Sequence, residues 1–270
     1  MLILKEPFNR LWADKDPFVA VEQLDGEVFR ALEGRRTLRT EVAGQGYFVK
    51  IHRGIGWGEI IKNLSLLKKP VLGARQEWQA IAALEQAGVA TMRPVAYGQR
   101  GSNPATRHSF IITEELAPTI SLEDFCRDWP QQPPPFALKH ALIERVAEMV
   151  GRMHRAGVNH RDCYLVHFLL HTDPPPRPGH FRLSLIDLHR AQIRDQVPVR
   201  WRNKDLAALY FSALQIGLTR RDKLRFLRIY FAQPLRQTLQ QEARLLAWLE
   251  RRAAKLLDRW FRRFAPGAEG

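Results

Sequence analysis

The sequence is poor in cysteine and has no long apolar run, and both absences exclude classes of protein. Only two cysteines, Cys126 and Cys163, occur in 270 residues, and they form no paired motif. A disulfide framework is therefore excluded, and a cysteine-based zinc site is not expected. No segment approaches the ~18 apolar residues of a membrane-spanning helix, and the N-terminal run Leu2–Leu4 is too short for a signal peptide. We expect a soluble protein of a reducing compartment that can touch a membrane without crossing it.

Negative charge is also scarce relative to positive charge. The chain has 42 Lys and Arg against 28 Asp and Glu, a formal net charge of +14. Such an excess favours an anionic partner, which can be nucleic acid, a membrane surface, a phosphate-bearing substrate or an acidic protein. The apolar fraction of 45% is that of an ordinary globular protein, and the length suffices to bury a core without staples.

The first quarter of the chain has the pattern of short strands. Three runs separated by glycine turns show it: Glu27–Leu32, Thr37–Val42 and Tyr47–Ile51. Runs of this length and spacing predict an antiparallel meander. Lys50 lies inside the third strand.

Helical spacing dominates the rest of the chain. Helices are predicted at 74–87, at 139–156 and from Asp205 onward. Short strands are predicted at 110–113, 168–171 and 183–187. Strands followed by helices indicate an α+β chain. We expect a small N-terminal sheet domain at 1–116 and a larger helical domain at 117–270.

One polar loop and several charged residues before and after it follow one another in an order that is typical of a known fold. Segment 159–167 follows a long apolar helix and contains a His-Arg-Asp triplet at 160–162. Alone, the triplet is weak evidence, because a solvated polar loop explains it as well. Upstream lie a strand lysine, Lys50, and a helix glutamate, Glu77, and downstream an apolar strand ends in Asp187. This order resembles the protein-kinase-like fold.

Longer motifs narrow the resemblance to one family. The shared segments are Lys62–Leu64, Pro70–Ala74, Glu77–Trp78, Ser109–Glu114, Pro118–Asp124, Asn159–Cys163, His167–His171, Ile186–Ile193 and Arg200–Leu206. With them the chain resembles the lipopolysaccharide core heptose (I) kinase family over nearly its whole length. The resemblance implies a bilobal kinase-like fold and phosphorylation of the first inner-core heptose, at O4, with ATP and Mg²⁺. It also implies a cytoplasmic protein, peripheral on the inner membrane, that acts on the core glycolipid.

The resemblance implies catalytic and metal-binding roles. Asp162, with His160 and Arg161 in the catalytic loop, would accept the proton of the attacking hydroxyl and orient its oxygen. Asp187 would ligate Mg²⁺. His167 stands where protein kinases place Asn, and it would lie at the metal, at a phosphate or against Asp162. Because Mg²⁺ prefers oxygen to imidazole nitrogen, a second ion is in doubt.

The nucleotide site departs from the protein-kinase pattern in one respect. Lys50 would contact the α- and β-phosphates and be held by Glu77, because a strand does not readily tolerate an unpaired central cation. The glycine-rich phosphate loop is missing. Arg35 and Arg36 of the first hairpin would supply some of its donors, although a hairpin with exposed arginines explains them equally. Backbone groups of a hinge would bind adenine: Glu114, Glu115 and Leu116.

Two basic regions are candidate anion-binding surfaces. The first follows Asp187 and would bind the acceptor, because the inner core is rich in carboxylates and phosphates. Its members are Arg190, Arg194, Arg200 and Arg202. A solvated basic face explains them as well. The second is 238–264, whose apolar residues recur at helical spacing opposite arginines, a pattern typical of membrane contact or of packing on its own domain.

Other functions remain as alternatives. A kinase-like enzyme that phosphorylates protein would have the same ATP site, but segment 188–204 is too short for a large activation loop. A basic module for nucleic acid is disfavoured, because the basic residues are interleaved with acidic ones and no nucleic-acid motif occurs. An acidic protein is a further candidate partner for the basic surface.

Overall fold

A computed structural model describes residues 1–32, 34–66 and 71–264. Pro70 of the family motif therefore lies outside the described residues. The chain divides into two compact units. Unit 1 contains Met1–Ala82, Thr91–Ala117 and Asp187–Arg190, and unit 2 contains Ala83–Ala90, Pro118–Ile186 and the chain from Ala191. The units thus differ from a single division after residue 116, because each takes one segment from the other side of that point.

Unit 1 is built on an antiparallel sheet with short flanking helices, and the order of its strands in the sheet differs from their order in the chain. Its strands are β1 (Leu2–Leu4), β2 (Glu27–Leu32), β3 (Arg35–Val42), β4 (Gln45–His52), β5 (Pro94–Arg100) and β6 (His108–Glu114). Its helices are α1 (Phe8–Leu11), α2 (Pro17–Ala20), α3 (Gly56–Ser65) and α4 (Arg75–Gln86), the last of which ends in unit 2. Within the described residues the sheet order is β1-β5-β6-β4-β3-β2.

The predicted meander is confirmed as β2-β3-β4, and the α+β class is confirmed with it. The sequence pattern missed β1 and β5. β1 is only three residues long. In β5, every residue from Pro94 to Gly98 is buried, so the alternation that marks a half-exposed strand is absent.

The core of unit 1 lies on one face of the sheet. Val49 and Ile51 of β4 are fully buried there with Phe8, Phe110 and Ile112. Because side chains alternate along a strand, Lys50 must point to the opposite face. The packing of this core therefore determines the direction of the strand lysine.

Unit 2 is mainly helical. Its helices are α5 (Leu122–Phe125), α6 (Phe136–Arg155), α7 (Val199–Ser212), α8 (Arg220–Phe231), α9 (Leu235–Gln241) and α10 (Ala243–Phe264). Its short strands are β7 (Thr119–Ser121), β8 (Val158–Asn159), β9 (Phe168–His171), β10 (Leu183–Leu185) and β11 (Gln192–Ile193). α6 presents its predicted apolar face to the core, with Val150 and Met153 fully buried.

Two predicted boundaries near the site are wrong. α7 begins at Val199, directly after Pro198, and not at Asp205. Its first turns carry Arg200, Arg202 and Lys204, so the apolar spacing that reveals a helix begins only with Leu206. β10 ends at Leu185, two residues before Asp187.

The C-terminal helix α10 changes character along its length. Leu245, Leu249 and Ala253 are buried, so its first turns pack on unit 2, whereas Trp260 and Phe261 are exposed. None of the helices described combines the length and the apolar composition that a bilayer crossing requires.

The unit 1 core generates a stability prediction. Phe110 is fully buried, with its ring 5.9 Å from that of Trp12 and 5.3 Å from that of Phe18. We expect Phe110→Ala to lower the free energy of unfolding by about 3–5 kcal/mol, because it leaves a cavity. Phe29 of the edge strand is 58% exposed, so Phe29→Ala should cost much less. Urea denaturation followed by tryptophan fluorescence measures both, and equal losses would contradict this account of the core.

Candidate active site

The first group of predicted residues meets in unit 1. Lys50 Nζ lies 2.7 Å from Glu77 Oε1 and 3.3 Å from Asp187 Oδ1. Glu77 is 1% exposed, so Lys50 replaces part of the water that its carboxylate loses on burial. Burial acts to lower the pKa of Lys50, but the carboxylates of Glu77 and Asp187 outweigh it and hold that pKa above its ordinary value. Lys50 is therefore a cation at neutral pH.

Three neighbours extend the polar face around Lys50. Thr37 is the direct cross-strand partner of Lys50, and Arg35 is that of His52, so the four side chains share one face of the sheet. Among the described residues, Arg35 Nε, Thr37 Oγ1, His52 Nε2 and Glu77 Oε2 are buried without a hydrogen-bond partner. Burial, with the nearby Arg35, Lys50 and His189, lowers the pKa of His52 to about 3, so its ring is neutral. Two cations and several donors on one face suit an anionic group.

The two arginines of the first hairpin, Arg35 and Arg36, point to opposite faces of the sheet. Arg35 lies on the Lys50 face, and burial lowers the pKa of its guanidinium although the carboxylate of Glu77 acts to raise it. Arg36 lies on the other face and donates to the backbone carbonyl of Glu22 at 3.1 Å. Only Arg35 therefore has a position that suits the phosphate-binding prediction, because alternation along β3 sends its neighbour away.

The predicted hinge residues are engaged in contacts within unit 1. The amide N–H of Glu114 donates to Arg93 O at 2.9 Å, and that of Glu115 donates to Gly46 O at 2.8 Å. The Glu115 carboxylate accepts two bonds from Arg39, each 2.7 Å. These two amides are thus committed to the protein, so any adenine contact here needs other backbone groups.

Asp187 is held from two sides and has an uncommon backbone conformation. Its Oδ1 accepts from Lys50 and lies 2.6 Å from His189 Nδ1. Its φ is 62°, in the left-handed region that only glycine adopts readily. Among the described residues, no three His, Cys, Asp or Glu side chains converge as a metal centre.

The second group of predicted residues lies in the loop after β8, in unit 2. Asp205 of α7 accepts from the amide of His160 at 2.6 Å and from that of Arg161 at 2.8 Å. It is 1% exposed and lies 3.2 Å from His154 Nε2. A carboxylate that accepts two successive amides fixes the backbone of the His-Arg-Asp triplet.

Two histidines hold the loop around Asp162. His160 is fully buried, its Nε2 lies 2.9 Å from Ile186 O, and its Nδ1 accepts from the Asp162 amide at 3.3 Å. His167 Nδ1 donates to Asp162 O at 2.7 Å, because a carbonyl can only accept. These contacts make both rings positioning residues for the segment that carries Asp162.

Two of the predicted acceptor arginines are engaged within unit 2. Arg194 donates to Asn159 Oδ1 at 2.8 Å and to Gln192 Oε1 at 2.6 Å. Arg202 Nη2 lies 3.3 Å from Glu242 Oε2. Arg200 is instead exposed at the start of α7, and Arg190 belongs to unit 1. Within unit 2, Arg194 and Arg202 are thus held by neighbouring side chains, whereas Arg200 is exposed.

Comparison with known proteins agrees with this arrangement. Residues 19–230 match the lipopolysaccharide kinase (Kdo/WaaP) family. The chain belongs to this family. It is 72% identical to "Lipopolysaccharide core heptose(I) kinase WaaP" of Pseudomonas aeruginosa over 96% of both chains. It is 57% identical to the protein of the same name in Escherichia coli, over 97% of this chain and 99% of the relative. The resemblance inferred from the motifs is confirmed.

A solved structure has a similar fold. It is described as "WaaP in complex with acyl carrier protein" and shares 67% identity and a TM-score of 0.86. The match covers 95% of this chain and 99% of that chain. The kinase-like α+β fold expected for this kinase family is therefore shown.

Sequence reasoning missed Thr37, His52 and His189. The first two had a usable signal, because residues at i+2 in a strand share a face with Arg35 and Lys50. His189 had none, since its contact with Asp187 depends on the turn that follows β10.

The contacts of Asp205 predict how Asp205→Asn changes stability and kinase activity. In Asp205→Asn, an amide NH₂ replaces one acceptor oxygen and faces a backbone N–H, leaving a buried donor unsatisfied. We expect stability to fall by about 1–3 kcal/mol, and kcat to fall while KM for ATP changes little. Thermal unfolding and steady-state kinetics measure these effects. The matched control is the exposed Asp195→Asn, and an equal response of both variants would contradict the role of Asp205.

Proposed function

We propose that this chain is an ATP-dependent kinase that phosphorylates the first heptose of the lipopolysaccharide inner core, at its O4 hydroxyl. The observation that carries the proposal is the Lys50–Glu77–Asp187 cluster, with Nζ–O distances of 2.7 and 3.3 Å. It provides a buried cation and an acidic oxygen donor of the kind used for nucleotide phosphates. The acceptor is inferred from the names of the relatives at 72% and 57% identity.

Unit 1 would bind the nucleotide. Lys50 would contact the α- and β-phosphates, with Glu77 holding its ammonium in place. Arg35, Thr37 and His52 would supply further donors, which supports a phosphate site without a glycine-rich loop. The adenine would lie near Leu116 and the carbonyls of Glu114 and Glu115, since the amides of those two glutamates are already bonded.

Asp187 fits a magnesium ion that is held largely by phosphates and water. Its carboxylate is the hard oxygen donor that Mg²⁺ prefers, and Mg²⁺ in kinases commonly takes only one or two protein carboxylates. The ion supplies charge neutralisation at the phosphates. We propose His167 as a positioning residue of the Asp162 loop and not as a metal ligand, because its Nδ1 is bonded to Asp162 O.

Unit 2 would provide the catalytic carboxylate. Asp162 would accept a hydrogen bond from the heptose hydroxyl and take its proton as the oxygen attacks the γ-phosphorus. The new O–P bond forms while the bond to the β,γ-bridging oxygen breaks, and ADP leaves. His160, His167 and Asp205 support this role by fixing the Asp162 backbone.

We further propose an acidic acyl carrier protein as a partner. A neighbouring structure with 67% identity is titled as a complex with such a protein. The net charge of +14 suits an acidic surface. Unit 2 also contains an open apolar pocket of about 340 Å³, lined by residues such as Leu142, Leu209 and Leu246, which would suit the chain of an acyl group.

We also propose a peripheral position on the cytoplasmic face of the inner membrane. Trp260 and Phe261 are exposed on the last turns of α10, their rings 5.2 Å apart, and arginines flank them. Aromatic side chains beside basic ones suit the interface of an anionic bilayer.

The catalytic proposal predicts the effect of Asp162→Ala. We expect phosphate transfer to core oligosaccharide to fall about 10²–10⁴-fold, because the proton acceptor is lost. Labelled ATP measures the transfer, with core oligosaccharide and protein offered as alternative acceptors. In cells that contain only this variant, mass spectrometry should show core heptose without its phosphate.

The matched control is Asp128→Ala, at an exposed aspartate of unit 2, which should leave transfer unchanged. Full heptose phosphorylation with Asp162→Ala would refute the mechanism. Label that enters protein and not the oligosaccharide would refute the acceptor.

The membrane proposal predicts a lipid-dependent partition. We expect wild-type protein to sediment with phosphatidylglycerol vesicles more than with phosphatidylcholine vesicles. Trp260→Ser with Phe261→Ser should reduce binding roughly ten-fold or more, since two aromatic side chains no longer leave water. Phe136→Ser, at a residue that is 72% exposed elsewhere in unit 2, is the control. Unchanged binding of the double variant would contradict the proposal.

A further inference from the structure

Trp201, at the start of α7, is surrounded by cations. The Arg161 Cζ lies 5.3 Å from the ring centroid, the Arg200 Cζ lies 4.6 Å from it, and the Lys204 Nζ lies 4.4 Å from it. Each contact is individually favourable, because the face of an indole is electron-rich. Together they hold three positive charges around one aromatic ring.

A fourth cation, Arg252 of α10, acts electrostatically on Lys204. The pKa of Lys204 lies below its usual value, because desolvation and the charges of Arg200, Arg161 and Arg252 disfavour its protonated form. These three neighbouring charges are all positive. Like charges held this closely repel each other, so an anion placed among them would relieve the repulsion.

The backbone of α7 adds to this preference. Its N-cap is Pro198, which makes no side-chain cap bond, and its first turn has no acidic residue. The N-terminus of a helix carries a partial positive charge. Arg200 and Trp201 lie in that first turn, so the helix and the four side chains favour the same sign of ligand.

The same helix fixes the cluster beside the catalytic loop. Asp205 lies one turn after Trp201 and accepts from the Arg161 amide at 2.8 Å. Arg161 directly precedes Asp162, and its guanidinium reaches the ring of Trp201. A ligand group on this cluster would therefore belong to the molecule that is presented to Asp162.

The side chains also indicate the kind of ligand. Guanidinium groups pair with carboxylates and phosphates through two parallel hydrogen bonds. The half-buried indole of Trp201 offers a flat apolar surface with a polar edge, against which a sugar ring can pack. An acidic saccharide satisfies both requirements at once.

We propose that Trp201, with Arg161, Arg200, Lys204 and Arg252, forms a binding site for a carboxylate or phosphate group on a sugar of the acceptor. This inference rests on the proposed function. It states that residues other than Asp162 determine which acceptor the kinase binds. Trp201 and Lys204 lie within the family segment Arg200–Leu206, and Arg252 belongs to α10.

The test compares full-length wild type with Lys204→Gln/Arg252→Gln and with the control Arg251→Gln, an exposed neighbour on the same helix. Three soluble acceptors are offered: deacylated core oligosaccharide, the same with its carboxylates amidated, and the same without its phosphates. We expect KM for the unmodified acceptor to rise about ten-fold or more in the double variant, because the two substitutions remove charge-assisted hydrogen bonds to the acceptor. KM for ATP and the melting temperature should not change.

The acceptor arms identify the recognised group. Wild type should discriminate against either the amidated or the dephosphorylated acceptor, and the double variant should lose that discrimination. The proposal is overturned if KM for the acceptor stays within about two-fold of wild type, if Arg251→Gln has the same effect, or if the double variant discriminates as wild type does.

Calorimetric titration of the unmodified oligosaccharide without ATP separates this inference from the proposed function. If wild type transfers no phosphate but binds the oligosaccharide through Lys204 and Arg252, the site stands and the kinase assignment fails. If wild type phosphorylates the oligosaccharide and the double variant binds it equally well, the kinase assignment stands and the site is refuted. If the double variant keeps both oligosaccharide binding and phosphate transfer, the site is also refuted.

Discussion

The buried carboxylate of Asp205 is the constraint on which the organisation of unit 2 depends. It accepts from two successive backbone amides, those of His160 and Arg161, and lies beside the ring of His154. A carboxylate that is 1% exposed is tolerated only when such donors replace its water. Because Asp205 is part of α7, the loop that carries Asp162 is tied to that helix, and so is the cationic cluster around Trp201.

Two predicted functional residues, one in each unit, have a positive φ, which is uncommon outside glycine. Arg161 has a φ of 75° and Asp187 a φ of 62°, and neither is glycine. Such conformations cost about 1–3 kcal/mol each and persist when surrounding contacts determine them. Asp205 holds the amide of Arg161, and Lys50 with His189 holds the carboxylate of Asp187. Ala43 and Ala232 also have a positive φ, but at Arg161 and Asp187 the polar contacts fix the conformation of a residue that the proposed chemistry uses.

Much of the candidate site was predictable, because the order of its charged residues along the chain is typical of kinase-like folds. Lys50 and Glu77 are 27 residues apart yet pair at 2.7 Å, as a strand lysine followed by a helix glutamate predicts. The arginines were less predictable. Arg35 and Arg36 are adjacent in sequence but lie on opposite faces of β3, and Arg194 and Arg202 are engaged by neighbours that no local pattern reveals. β5 was missed because its buried residues do not alternate.

The sequence by itself determined the α+β class, the family and the identity of the central charged residues, since these depend on local periodicity and on the order of short motifs. Only the tertiary structure decided which neighbours complete each site. Thr37 and His52 join Lys50 through strand register, and Arg161 reaches Trp201 through the contact of a loop with α7. Contacts between residues distant in sequence are set by packing, and packing depends on all surrounding side chains at once.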